Sequence, residues 1–156
     1  MSEPIRILIV EDSSTDADLA SREIRKALSA CVFEYVETRE AFLTALTTFR
    51  PDLVVSDYTL PHFDGLTALK LTLERAPLTP VIIWTGSINE DVAVECIKAG
   101  ATDYVLKDRI VRLPFAAQEA LAQKQMRLAR DAAERALRAS EQKYRKLHES
   151  MIDGFA

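Results

Sequence analysis

Basic charge is in short supply in this chain. Its 20 lysines and arginines face 24 aspartates and glutamates, a net charge of −4. That balance argues against general nucleic-acid binding, which needs a clustered basic surface. Cysteine is nearly missing. Cys31 and Cys96 have neither metal-site nor disulfide-framework spacing and read as ordinary thiols of a reducing compartment. No apolar run approaches the roughly 20 residues that cross a bilayer. The opening "MSEPIRILIVED" lacks the basic start and long apolar stretch of a signal peptide. A cytoplasmic protein, partnered with neither membrane nor nucleic acid, is the expectation. Glycine is absent from the first strand-to-helix turn, "EDSSTDAD". A nucleotide-binding turn needs glycine for close phosphate approach, and these acids would repel phosphate.

The 156 residues, 48% of them apolar, are enough for one domain of typical size with a little over. Short apolar runs alternate with helix-like stretches. The runs are Ile5 to Val10, Val32 to Val36, "DLVVS" (52–56), "PVIIW" (80–84) and "DYVL" (103–106). They are short and mostly β-branched or aromatic, as in strands buried on both faces. Between them "TDADLASREIRKAL" places Leu19, Ile24 and Leu28 near one face, with Thr15 as a cap and Asp18 three residues on. "REAFLTALTTF" stops before Pro51 and "GLTALKLTLERA" before Pro77. "NEDVAVECIKAG" has Asn89 as cap and Gly100 as stop. Five such alternations imply an α/β fold: a parallel sheet with helices on both faces. Ligands in such folds bind beyond the carboxyl ends of the strands, where the winding reverses.

Neither Gly nor Pro occurs between Phe115 and Asp153, a stretch rich in Ala, Leu, Arg, Glu and Gln. One helix of about 35 residues would be roughly 50 Å long. Met126, Ala133, Leu137, Tyr144, Leu147 and Met151 fall on a 3-and-4 repeat interrupted by Arg130 and Ser140. The spacing suits a dimerising coiled coil; a solvated single helix is the alternative. Acid–base pairs recur at helical spacing: Asp131 with Arg135, Glu134 with Arg138, Glu141 with Arg145.

The strand ends carry the chemistry. The first delivers Glu11 and Asp12, the third Asp57, the fourth Thr85 and the fifth Lys107. Clustered carboxylates repel unless protonated or bound to a hard cation with oxygen ligands, and Mg²⁺ fits such a set. Beside Mg²⁺, Asp57 can attack a phosphoryl group, with Lys107 and the Thr85 hydroxyl contacting the phosphoryl oxygens. Each residue alone has a plainer explanation: a helix cap, a surface lysine, an ordinary strand threonine. Their combination at one end of the sheet carries the weight. A Mg²⁺-dependent phosphatase with an aspartyl nucleophile is the alternative, but it needs a second acid two residues on, where Thr59 stands.

The motifs "ILIVEDS", "DLVVSDYTLPHFDGL", "PVIIWTGS" and "AGATDYVLKD" together resemble the receiver domain of two-component response regulators, over about residues 4 to 122. The resemblance implies a flavodoxin-like, doubly wound five-stranded sheet of order 2-1-3-4-5, with an extended C-terminal helix. It implies Mg²⁺ held by Glu11, Asp12, Asp57 and the Tyr58 carbonyl, and phosphorylation of Asp57 by a histidine kinase or phosphotransfer protein. The receiver itself is then not an enzyme beyond self-phosphorylation and dephosphorylation. Thr85 and Tyr104 match the family's coupled switch pair. Asp108 stands where the family usually has proline, so a trans peptide is expected there. Gly86 stands where alanine is common. "ALRASEQKYRKLHESMIDGFA" is similar to the run-in to a PAS sensory domain, of which only the opening is present. The expected organisation is a receiver over 1–122, an extended helix or coiled-coil linker over 113–148, and a PAS start over 149–156, leading to a histidine kinase or diguanylate cyclase output in a homodimer. His148 lacks an H-E-x-x-H partner, Ile152 being at that place, and reads as an exposed helix residue; His62 reads as solvent-facing.

Overall fold

The computed structural model describes residues 3–86 and 89–153. Five strands alternate with five helices: β1 (Ile5–Val10), α1 (Ser14–Ala27), β2 (Cys31–Val36), α2 (Arg39–Thr48), β3 (Leu53–Ser56), α3 (Gly65–Arg75), β4 (Val81–Thr85), α4 (Glu90–Lys98), β5 (Asp103–Leu106) and α5 (Arg112–Asp153). A single 3₁₀ turn, Lys107–Arg109, follows β5. All strands run parallel, in the order β2-β1-β3-β4-β5.

The strands are apolar on both faces because both are covered. Leu8, Val10, Val54 and Ile83 pack with Phe42 and Leu46 of α2, Leu69 of α3 and Cys96 of α4. Their neighbours Ile7, Ile9, Val55, Ile82 and Trp84 point the other way, onto Ala17, Ala20 and Ile24 of α1 and Leu113, Ala116 and Ala120 of α5. This period-two alternation makes the fold doubly wound. The winding reverses between β1 and β3, where Val10 pairs with Ser56, so the residues just after both strands emerge side by side.

Three details differ from the sequence expectations. Helix α1 is capped by Ser13, whose hydroxyl accepts the Asp16 N–H at 3.2 Å, and not by Thr15. Leu19 is exposed; α1 buries Ile24 together with Ala17, Ala20 and Ser21, and the last three are small enough to allow close approach to the sheet. The last helix continues through Asp153, past the expected boundary at residue 148. Residues 154–156 of the PAS-like run lie outside the described residues. Asn89 does cap α4, and Gly100, at φ +112°, ends it in a conformation that favours glycine.

Gly65 opens α3 where the β3–α3 loop folds back on itself, its N–H donating to the Tyr58 carbonyl at 2.8 Å. A Cβ there would lie 2.7 Å from the Asp57 carbonyl oxygen and 2.9 Å from the Tyr58 Cα. Both are backbone atoms, which cannot step aside as a flexible side chain would. Gly65→Ala is therefore expected to lower the unfolding free energy in urea by about 1–3 kcal/mol, the usual cost of overpacking. An unchanged denaturation midpoint would contradict this close approach.

The chain divides into two units, one ending at Lys124 and the other starting at Gln125. In the second, Met126, Leu137, Tyr144, Leu147 and Met151 are all exposed. Arg138 pairs with Glu134 at 3.7 Å as expected. Arg135 donates instead to the Asp131 backbone carbonyl at 3.4 Å. His148 is exposed and stacks on Tyr144, with ring centroids 6.2 Å apart. No described helix is long and apolar enough to cross a membrane.

Candidate functional site

Parallel register puts the chemistry at one edge. The Asp57 N–H donates to the Val10 carbonyl at 2.9 Å, and the Glu11 N–H to the Val36 carbonyl at 3.1 Å, so the sheet ladder itself fixes where both acids emerge. The Ser13 N–H donates to Glu11 Oε1 at 3.2 Å and holds that carboxylate in the first turn after β1. Glu11, Asp12 and Asp57 each offer one oxygen, all within 4.8 Å of one another. Glu11 and Asp57 are buried and Asp12 is exposed.

Such a set fits a small hard cation: it offers three carboxylate oxygens, and Asp12 is exposed. The Tyr58 carbonyl accepts the Gly65 N–H at 2.8 Å.

Lys107 enters the same pocket from the end of β5. Its ammonium donates to Glu11 Oε2 at 2.7 Å, Asp57 Oδ2 at 2.9 Å and Asp16 Oδ2 at 2.9 Å. It also lies 5.0 Å from the centroid of the buried Trp84 ring, close enough for a cation–π contact. Burial alone would lower the ammonium's pKa, but the hydrogen bonds to Glu11, Asp16 and Asp57 outweigh it and raise the pKa above its ordinary value. Thr85, the last residue of β4, is buried at the same edge. Tyr104 of β5 is half-buried against the α2–α4 side of the core, and burial pushes its hydroxyl pKa up. Asp108 is exposed in the 3₁₀ turn, and every peptide bond among the described residues is trans, as expected for Lys107–Asp108. At Gly86 a Cβ would meet only the Lys107 Cδ at 3.9 Å, so an alanine would fit.

The structure therefore brings Glu11, Asp12, Asp57 and Lys107 together and puts Thr85 at the same end of the sheet. It adds Asp16, which the strand-end pattern does not mark as a site residue. The available signal was its place in the first turn of α1, directly after the acid pair; its partner Lys107 is 91 positions away.

The fold changes the chemistry of Glu11. Burial, opposed by the Lys107 hydrogen bond and reinforced by the Asp57 charge, pushes its pKa up to about 7 from 4.5. The fold thus holds a proton that the unfolded chain releases. The resulting stabilisation is complete below pH 4.5 and lost as pH rises through about 7. Relative to Glu11→Gln, the metal-free protein should lose about 2 kcal/mol of stability between about pH 5.5 and pH 8. Urea unfolding of both proteins across that range measures it, and parallel pH profiles would count against the shift. Because only the carboxylate binds a cation, Mg²⁺ affinity should be about tenfold weaker at pH 6 than above pH 8, followed through Trp84 fluorescence.

An acid pocket with a captive lysine, at the switch point of a 2-1-3-4-5 parallel sheet, defines a receiver-type α/β signalling domain. The chain belongs to the response regulator receiver domain family, whose model matches residues 7–114. It is 38% identical over 114 residues to the DNA-binding transcriptional regulator NtrC of Klebsiella pneumoniae, covering 73% of this chain and 23% of that one. It is 36% identical over 130 residues to a protein-glutamate methylesterase/protein-glutamine glutaminase of Archaeoglobus fulgidus, covering 78% and 36%. The crystal structure of the receiver domain of NtrX from Brucella abortus superposes with a TM-score of 0.68 at 28% identity, covering 74% of this chain and 98% of that one. The chain thus spans well under half the length of these curated relatives. Membership supports a phosphorylation-controlled switch of the two-component type, served by a histidine kinase or another phosphodonor.

Proposed function

We propose that Asp57 is the phospho-acceptor of this receiver and that Glu11, Asp12, Asp57 and the Tyr58 carbonyl hold Mg²⁺ for the transfer. The observation that carries this reading is the convergence of three carboxylate oxygens within 4.8 Å, with the Lys107 ammonium on Asp57 Oδ2 at 2.9 Å. A carboxylate oxygen of Asp57 attacks phosphorus. The bond from phosphorus to the donor's imidazole nitrogen breaks, its electron pair stays with the imidazole, and an acyl phosphate remains. Mg²⁺, when bound, supplies positive charge that balances the phosphoryl oxygens. Lys107 supplies a second charge, and Thr85 a hydroxyl donor to a third oxygen.

In this reading Thr85 and Tyr104 form the switch: the hydroxyl follows the phosphoryl group and the ring follows the hydroxyl. The change passes through α5, whose exposed Met126, Leu137, Tyr144, Leu147 and Met151 form the seam of a homodimeric coiled coil. The segment after residue 148 leads into a PAS-type module and a histidine kinase or diguanylate cyclase output. The protein works in the cytoplasm, with neither nucleic acid nor membrane as a direct partner of the receiver. Thr59, whose N–H donates to Asp57 Oδ1 at 3.4 Å, offers a hydroxyl where an aspartyl phosphatase needs a carboxylic acid, which disfavours that alternative.

Acetyl phosphate with Mg²⁺ should add one phosphoryl group to the intact protein, mapped by mass spectrometry to the peptide holding Asp57. No mass increase, or a modification on another residue, would overturn the assignment.

A further inference from the structure

We infer that Asp16 restrains the phosphorylation reaction by holding one of the three ammonium protons of Lys107 away from the incoming phosphoryl group. The inference rests on Asp57 being the acceptor and concerns how fast that site reacts.

A lysine ammonium has three N–H donors and no more. Here all three have carboxylate acceptors: Glu11 at 2.7 Å, Asp57 at 2.9 Å and Asp16 at 2.9 Å. To contact a phosphoryl oxygen, Lys107 has to release one of them. The three acids are not equivalent. Glu11 and Asp57 belong to the cluster that can share a cation with Asp12, so a bound metal gives them another counter-charge. Asp16 lies outside that cluster, and Lys107 is its one ion-pair partner among the described residues. It is held in place from below, because its own N–H is fixed by the Ser13 cap at 3.2 Å. Once a metal occupies the acid cluster, Asp16 is the acid still competing for the ammonium. Its own negative charge also opposes an anionic phosphodonor.

This makes Asp16 a positioning residue that acts through Lys107, and removing its charge should speed the reaction. The Asp16 side chain is 36% exposed, so the pair is partly screened, and the expected gain is modest, about fivefold in the rate of phosphoryl uptake. Asp18 is the matched control. It lies on the same helix, also acidic, and pairs with Arg22 at 3.0 Å, not with Lys107.

The experiment follows uptake from acetyl phosphate with saturating Mg²⁺ by intact mass, in the wild-type chain, Asp16→Asn, Asp16→Ala, Asp18→Asn, Lys107→Met, and Asp16→Asn combined with Lys107→Met. The expected result is about fivefold faster uptake in both Asp16 variants, no gain in Asp18→Asn, and no gain from Asp16→Asn when Lys107 is methionine. Equal or slower uptake in both Asp16 variants overturns the restraint. An equal gain in Asp18→Asn reduces it to general charge, and a gain that survives without Lys107 rules out action through that lysine. If the wild-type chain takes up no phosphoryl group at all, the failure lies in the Asp57 assignment and the restraint falls with it.

Discussion

Asp57→Asn is expected to cut phosphoryl uptake at least about a hundredfold, the scale on which losing an attacking group is felt. The substitution keeps the shape of the side chain but replaces a charged oxygen nucleophile with a neutral amide. The position is set by backbone, since the Asp57 N–H is anchored to the Val10 carbonyl at 2.9 Å and the amide variant keeps that bond. One of three mutually repelling carboxylates becomes neutral, so the variant should fold at least as well as the parent in metal-free buffer. Loss of labelling with an intact circular dichroism spectrum and an unchanged or higher urea midpoint is the predicted pattern. Labelling of Asp57→Asn at the parental rate would mean that the phosphoryl group goes elsewhere.

Lys107→Met is expected to cost the metal-free protein about 3 kcal/mol, the scale of removing one partner from a buried ion pair. The figure applies because the cluster is poorly hydrated: the side chains of Lys107, Glu11 and Asp57 are 18%, 1% and 11% exposed. With the ammonium gone, three carboxylates that shared it face one another. Glu11, already pushed up to about 7, loses the hydrogen bond that holds it down, so the variant should destabilise more steeply than the parent as pH rises. The deficit should shrink in millimolar Mg²⁺, since a divalent cation replaces the missing charge. Thermal or urea unfolding with and without Mg²⁺ at about pH 8 makes the comparison. A variant as stable as the parent without metal would show that the lysine contributes no net stabilisation to the pocket.

Stability and reactivity oppose each other here. The contacts that make Lys107 a good internal counter-ion also occupy every donor that it could present to a phosphoryl group. In the proposed reading a metal ion would relieve that conflict for Glu11 and Asp57 but not for Asp16.

The sequence by itself determined the alternation of strand and helix, the strand ends that carry Glu11, Asp12, Asp57, Thr85 and Lys107, and the uninterrupted helix after Leu113. These follow from local patterns: β-branched runs, 3.6-residue periodicity, and the placing of Asn, Gly and Pro. The strand order, 2-1-3-4-5, was legible through resemblance to a family, and the structure bears it out. Only the tertiary structure decided that Asp16 reaches Lys107, that Trp84 lies beneath the same ammonium, that Gly65 has no room for a Cβ beside Asp57, and that Glu11 is buried deeply enough to hold a proton near neutrality. Each of these depends on groups brought together from distant parts of the chain or on the water they exclude. Sequence periodicity reports the face on which a residue lies. Distance, burial and the sharing of three protons among three acids arise only when the sheet has set its strands side by side.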